Sequence, residues 1–164
     1  MRSVPRMASP GRTTQPRVDM EDAARSAYRA MCHFDNATAR LELDPLLREL
    51  IRVRASMLNG CAYCVDMHTK DARAKGETEQ RLYAVAAWHE APFFSPAERA
   101  AFALTDALTK LPGNPLPDTV VADAEAQLGV EGLAAATWII VTINAWNRVA
   151  IASHLEAGNY EPGE

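Results

Sequence analysis

The chain has 164 residues, an apolar content of 48% and a formal net charge of −4. This length is sufficient for one domain with a sizeable core, and no change of composition indicates a second domain. The small net charge argues against a nucleic-acid partner. No run of about 18 apolar residues lacks a charged or amide side chain, so a membrane span is not expected.

Residues 1–18 have the composition of a flexible tail, and the stretch lacks the apolar segment of a secretory signal. The stretch contains four residues that interrupt regular structure: Pro5, Pro10, Gly11 and Pro16. We expect a cytoplasmic protein, although arginines without acidic residues also fit a transit peptide. A helical domain is predicted over 19–158, with a short C-terminal tail at 159–164.

Apolar residues recur at helical spacing over 19–40, which predicts an amphipathic helix. Cys32 lies within it and is expected to be a small buried residue. The next predicted helix begins at Asp44-Pro45, an N-cap followed by proline at the first helical position, and ends at Asn59-Gly60. That turn leads into a helix over 61–75, which carries the other two cysteines.

Four further helices are predicted downstream. Thr78 caps the first of them, and a capping box at Ser95-Pro96 opens the second. After Pro117 a shorter helix runs to Gly129, and a long helix covers about 131–156. This last helix is apolar nearly all round, as expected at the centre of a core or at a subunit interface. No stretch shows sustained period-two alternation, so the predicted fold class is all-α.

The most informative motif is Cys61-Ala62-Tyr63-Cys64, with His68 four residues further on. At a helix N-terminus, free backbone N–H groups and the helix dipole favour a thiolate. His68 follows Cys64 by one turn on the same helical face, where an imidazole can exchange a proton with the thiol. A lone helical histidine is otherwise a core or surface residue. The motif favours a dithiol redox or peroxide-reducing site.

Other interpretations of the cysteine pair find less support. A structural zinc site needs four ligands, whereas Cys61, Cys64 and His68 supply at most three. A purely structural pair is disfavoured because an Asn-Gly turn places the first thiol at a helix end, where it can be reached. A thioredoxin fold needs strands before the motif, and a helix precedes it here. We therefore expect neither a metal nor a cofactor.

Glu49 is the fourth candidate residue. It lies among leucines and an isoleucine on the helix before the motif, where a carboxylate is costly unless it has a partner or a task. The alternative is a solvated carboxylate paired with Arg52 or Arg48, and helical spacing supports it equally.

The stretch over 47–68, which holds Glu49, both cysteines and His68, resembles the core signature of the AhpD-like alkylhydroperoxidases. These belong to the carboxymuconolactone decarboxylase superfamily. Residues 69–78 and the run Asn144-Ala145-Trp146-Asn147-Arg148 extend the resemblance, which covers about 27–154. It implies a helical bundle with the CxxC motif at the N-terminus of a central helix, commonly assembled as trimers or hexamers.

The resemblance also implies roles for the four candidates. Cys64 is the peroxidatic thiol, which attacks the peroxide and becomes a sulfenic acid, and Cys61 is the resolving thiol that closes the Cys61–Cys64 disulfide. His68 helps to deprotonate Cys64, and Glu49 belongs to the same proton relay. The implied function is a cofactor-free thiol peroxidase for small alkyl hydroperoxides, reduced again by a dithiol reductant or an adaptor protein.

Tyr63 departs from the family pattern, because the best-known alkylhydroperoxidases carry a histidine between the cysteines. A general dithiol-disulfide oxidoreductase with little peroxidase activity therefore stays open, as does a redox sensor whose oxidation alters oligomer packing. Members that decarboxylate a lactone generally lack the cysteine pair, which disfavours that reaction here.

Overall fold

The computed structural model describes residues 16–111 and 113–163. These residues form α-helices and one 3₁₀ turn, with no strand among them, which confirms the all-α prediction. In chain order the elements are α1 (Met20–Ala23), α2 (Arg25–Thr38), α3 (Pro45–Asn59), α4 (Ala62–Ala74), α5 (Glu79–Ala84), the 3₁₀ turn Val85–Ala87, α6 (Pro96–Thr109) and α7 (Asp118–Ser153). Most of the predicted N-terminal tail lies outside the described residues.

Side-chain caps set the helix starts that the sequence predicts. Asp44 accepts hydrogen bonds from two backbone amides in the first turn of α3. Ser95 and Glu98 form a reciprocal capping box at the start of α6, and Thr78 caps α5. Because each cap satisfies N–H groups that have no partner within the helix, these residues fix where each helix begins.

Two predicted helix boundaries differ from the structure. The single helix predicted over 19–40 is two helices, because Asp19 caps α1 and Ala24 leaves the helical region at φ −142° and ψ 48°. The helix that follows Thr78 is shorter than predicted and tightens into the 3₁₀ turn after Ala84.

The break predicted at Gly129 is present within α7. Gly129 has φ 73° and ψ 171°, a combination that is essentially restricted to glycine, and the chain is helical on both sides of it. The short and long predicted helices are thus the two arms of α7.

Helix α3 lies at the centre of the molecule and packs against α4, α6 and α7. Its buried apolar side chains divide among three clusters: one is shared with α6 and α7, a second with α4, α5 and α6, and a third, through Ala55, with the two cysteines and α7. Arg54 joins α3 to α6 and to the 3₁₀ turn. Its guanidinium donates to both carboxylate oxygens of Asp106 at 2.6 and 2.7 Å and to the carbonyls of Val85 and Ala86. The helix that carries Glu49 is therefore fixed by contacts with α4, α6 and α7.

Among the described residues, α7 is a helix long and apolar enough to cross a membrane. Length and composition alone are weak evidence, because the core helix of a soluble protein passes the same test. Here α7 supplies Ile139, Ile140 and Ile143 to the buried core. The cytoplasmic location stays a prediction.

Candidate active site

Gly60 forms the turn between α3 and α4. Its φ of 69° and ψ of 29° lie in the left-handed region, which glycine adopts without strain. Cys61 follows as the N-cap of α4, and its sulfur accepts a hydrogen bond from the backbone N–H of Cys64 at 3.4 Å. The predicted position of the CxxC motif at a helix N-terminus is thereby confirmed.

The Sγ atoms of Cys61 and Cys64 lie 2.6 Å apart, and both free cysteines are only 2% exposed. Hydrogen bonding from the Cys64 side chain lowers the pKa of Cys61 to about 7, although burial opposes this shift. The same hydrogen bond, together with burial, raises the pKa of Cys64. Within the pair, Cys61 is therefore the thiol that ionises more readily.

Cys64 faces a cavity of about 330 Å³, and Cys61 does not line it. The cavity lies between α2, α4 and α7, beside the segment that precedes α1. Its walls are largely apolar and aromatic, formed by residues that include Tyr28, Met67, Ile143, Trp146 and Val149. Cys32 is half-buried in the same wall. A small apolar molecule bound in the cavity would lie beside Cys64.

His68 also lines the cavity and is tied to Glu49 behind it. Its Nδ1 lies 3.0 Å from Glu49 Oε2, and both side chains are buried. A ring whose Nδ1 donates to a carboxylate has Nε2 left for proton exchange. The structure thus brings Glu49, Cys61, Cys64 and His68 into one region.

Glu49 is 3% exposed, so its interpretation as a solvated residue is wrong. Its Oε1 accepts from Arg52 at 3.3 Å and from Lys75 at 3.2 Å. Burial raises the pKa of this carboxyl, but the hydrogen bond from His68 and the charges of His68, Arg52 and Lys75 outweigh it and lower the pKa to about 2. Arg48, the other predicted partner, donates instead to backbone carbonyls before α3.

Sequence reasoning missed two residues beside this pair. Asp71 Oδ2 lies 3.9 Å from His68 Nδ1, and Asp71 Oδ1 accepts a hydrogen bond from the Tyr160 hydroxyl at 2.7 Å. The spacing of three residues between His68 and Asp71 on one helix was a usable signal. Tyr160 carries no such signal, because it lies in the segment predicted to be a tail, 159–164.

An amide network lies behind the thiols and joins α7 to the turn at Gly60. Asn59 Nδ2 donates to Asn144 Oδ1 at 3.0 Å and to Asn147 Oδ1 at 2.8 Å. Asn147 is fully buried, and its Nδ2 donates to Ser56 Oγ at 3.0 Å. Because each of these amides is fixed by a partner, the network sets the position of α7 relative to the cysteines.

Glu49, His68 and Asp71 are also the group of described residues that could hold a metal ion, since their ligand atoms lie within 4.8 Å of one another. Arg52 and Lys75 already neutralise Glu49, however, and Tyr160 donates to Asp71. The donor set is satisfied by protein groups, which is the arrangement of a hydrogen-bonded proton relay.

An all-helical fold that holds a dithiol at a helix start, beside a buried Glu-His pair, defines the AhpD-like class of proteins. The family model described as the carboxymuconolactone decarboxylase family matches residues 25–107. The uncharacterized protein YdfG of Bacillus subtilis (strain 168) is 40% identical over 136 residues, which are 83% of this chain and 92% of that protein. The chain belongs to the carboxymuconolactone decarboxylase family.

Solved structures confirm the AhpD-like resemblance. A protein of unknown function from Agrobacterium tumefaciens, named as a candidate antioxidant defence protein AhpD, has a TM-score of 0.85 and 32% identity, covering 89% of this chain and 100% of that chain. A peroxidase-related protein from Ralstonia eutropha JMP134 with an alkylhydroperoxidase AhpD core has a TM-score of 0.75 at 20% identity, covering 85% and 75%.

The debrominase Bmp8 shares the same fold, with a TM-score of 0.75 at 19% identity over 84% of this chain and 74% of that chain. At 19 and 20% identity these neighbours show the fold alone. Membership of the family supports a peroxidase-related, enzymatic function.

Proposed function

We propose that the protein is a thiol peroxidase that reduces small apolar hydroperoxides through a Cys61–Cys64 dithiol/disulfide cycle. The observation that carries the proposal is the position of Cys64, whose thiol faces an apolar cavity next to the buried Glu49–His68 pair. Each part of the cycle can be assigned to a group at this site.

The first step is proton transfer within the thiol pair. Cys64 passes its proton to the Cys61 thiolate across 2.6 Å, which leaves a thiolate at the cavity wall. Such a transfer creates no second negative charge in the buried pair, so it avoids the cost of ionising both thiols together. The cavity-facing sulfur is then the nucleophile.

The second step is attack of Cys64 on the terminal oxygen of the hydroperoxide. The S–O bond forms as the O–O bond breaks, which gives a sulfenic acid on Cys64 and an alkoxide. His68 donates a proton to the alkoxide, and the alcohol leaves. Ionised Glu49 stabilises the positively charged ring before this donation.

The third step closes the disulfide. His68 takes the proton of Cys61, and the Cys61 thiolate attacks the sulfur of the sulfenic acid. The leaving hydroxide takes this proton from His68 and departs as water. A dithiol reductant then reduces the disulfide by thiol–disulfide exchange. Because both sulfurs are buried, a small dithiol or a narrow protein segment is the expected reductant.

Turnover of tert-butyl hydroperoxide with dithiothreitol as reductant tests this cycle. Cys64→Ser should abolish turnover. Cys61→Ser should still react once, with His68 taking the Cys64 proton in place of the Cys61 thiolate, but it should fail to form the disulfide. Cys32→Ser should retain turnover, since the cycle does not use this thiol. Unchanged consumption of hydroperoxide by Cys64→Ser would refute the proposal.

A second candidate function is dithiol-disulfide oxidoreductase activity. The observation in its favour is Tyr63, which stands between the two cysteines in the sequence and lines the cavity. Burial raises its pKa further from neutrality, so it ionises less readily near neutral pH than the histidine of the family pattern. Reduction of a small disulfide at concentrations where hydroperoxides do not react would support this function over the peroxidase.

A further inference from the structure

Residues 158–160 are hydrogen-bonded to α4, beside the Glu49–His68 pair. Lys70 Nζ donates to the carbonyl oxygens of Gly158 at 3.1 Å and of Tyr160 at 2.8 Å. The backbone N–H of Gly158 donates to Asp66 Oδ2 at 3.1 Å. These three bonds place the side chain of Tyr160 over α4, one turn beyond His68.

The Tyr160 hydroxyl donates to Asp71 Oδ1 at 2.7 Å. Burial and this hydrogen bond raise the pKa of Tyr160, so the hydroxyl keeps its proton and stays a donor. The second carboxylate oxygen of Asp71 is turned towards His68 Nδ1, 3.9 Å away. Two carboxylates, Glu49 and Asp71, therefore face the same ring nitrogen.

The two carboxylates are not equivalent. Glu49 is also bound by Arg52 and Lys75, whose positive charges lie beside its own. Asp71 has no such cation within ion-pair distance among the described residues, so its charge acts on His68 with less compensation. A carboxylate at this distance stabilises a protonated ring appreciably in a partly buried site.

We propose that Tyr160 is a positioning residue of the proton relay. Its hydroxyl holds Asp71 against His68, so that the protonated ring formed during the cycle is stabilised by both carboxylates. Without this bond, Asp71 is free to rotate towards water. The inference rests on the proposed function for its effect on turnover, but the effect on the ring itself does not depend on turnover.

Several charged groups face this part of the relay from neighbouring elements. They are Glu49 and Arg52 of α3, Asp35 of α2 through its bond to Arg52, Asp71 of α4, and Lys75 at the end of α4. The basic limb of the pH profile of kcat/KM reports the His68 ring together with these neighbours, because the ring must be protonated in the peroxide step. The acidic limb reports the Cys61–Cys64 pair, in which one thiol must be ionised.

A double-mutant cycle on Tyr160→Phe and Asp71→Asn tests the proposal. General acid–base catalysis contributes roughly 100-fold or more, and each single variant should lose a part of it, about fivefold in kcat/KM for tert-butyl hydroperoxide. The loss should be in kcat with KM unchanged, because neither residue lines the cavity. The double variant should match Asp71→Asn alone, since Tyr160 acts through Asp71.

The basic limb should also move to lower pH, by about one unit in Asp71→Asn and by less in Tyr160→Phe, because His68 must carry a proton to donate it to the alkoxide. Tyr83→Phe is the matched control, because Tyr83 is an exposed tyrosine on α5, and it should leave the profile unchanged. Losses that multiply in the double variant, or a Tyr160→Phe profile identical to wild type, would overturn the proposal.

Titration of the His68 ring by NMR separates this inference from the proposed function. The midpoint should move to lower pH in Asp71→Asn and in Tyr160→Phe, whether or not the protein turns over hydroperoxide. An absence of wild-type turnover would refute the peroxidase, and an unmoved ring midpoint in both variants would refute the role of Tyr160.

Discussion

Glu49 is a buried carboxylate that His68, Arg52 and Lys75 keep ionised. Taken alone, burial would make such a group neutral, and its surroundings reverse that tendency. The Glu49 carboxylate therefore stabilises the folded state at every pH where it is ionised, and it supplies negative charge to the His68 imidazole.

Glu49→Gln should remove a pH-dependent part of the stability. Since the pKa of Glu49 is about 2 in the folded state against an ordinary 4.5, its contribution of about 3 kcal/mol is full above pH 4.5 and is lost as the pH falls towards 2. Urea unfolding at several pH values should show the gap between wild type and Glu49→Gln closing over that range. Glu42→Gln, at an exposed position, should show a gap that does not change with pH.

The unequal acidity of the two thiols gives a second prediction at this scale. Because the Cys64 side chain lowers the pKa of Cys61, Cys64→Ala should raise the midpoint of thiolate formation from about 7 towards the ordinary value of about 8.5. Ultraviolet absorbance of the thiolate, measured in a Cys32→Ser background, follows this change. A midpoint that stays near 7 in Cys64→Ala would show that other donors stabilise the Cys61 thiolate.

At the residue scale, sequence reasoning found the reactive set but not its surroundings. Glu49, Cys61, Cys64 and His68 follow from local spacing and from a recognisable signature. Lys75 and Tyr160 reach the site through the tertiary fold, 26 residues beyond Glu49 and 89 residues beyond Asp71. Spacing along one helix carries no information about such partners.

The α3–turn–α4 unit is the element that organises the site. Gly60 reverses the chain in the left-handed region, and this places Cys61 at the N-cap of α4 and Glu49 opposite His68. The sequence predicted this unit well, because Asp44-Pro45 and Asn59-Gly60 are strong boundary signals. The division of α1 from α2 was missed, since the cap at Asp19 competes with a continuous apolar pattern.

Gly60→Ala should destabilise the protein by about 1 kcal/mol, and Gly60→Asn by less. A Cβ at this position would meet nothing within 4 Å, so the cost comes from the positive φ alone, which asparagine tolerates better. Urea unfolding measures both variants. Equal destabilisation by alanine and asparagine would argue against backbone strain as the cause.

For the whole molecule, the exposed apolar side chains of α7 are the feature that one protomer does not explain. Trp138 is 50% exposed and Val141 is 44% exposed on a helix that is otherwise central to the core. We propose that these side chains form the subunit contact of the trimer or hexamer that the family resemblance implies.

Light scattering should accordingly give a mass of three or six times 17.9 kDa. Trp138→Glu should lower that mass, because it places a charge in the apolar surface. Leu111→Glu places the same charge at an exposed apolar position outside α7 and should leave the mass unchanged. A monomer in the wild type would show that α7 has another role.

The proposed cycle makes the cavity-facing thiol the one that meets the hydroperoxide. It is tested most directly by adding one equivalent of tert-butyl hydroperoxide to Cys61→Ser, trapping sulfenic acid with dimedone, and locating the adduct by mass spectrometry. We expect an adduct on the peptide that carries Cys64, and none on Cys61 when Cys64→Ser is treated in the same way. An adduct on Cys61 in Cys64→Ser, together with an unmodified Cys64 in Cys61→Ser, would contradict it.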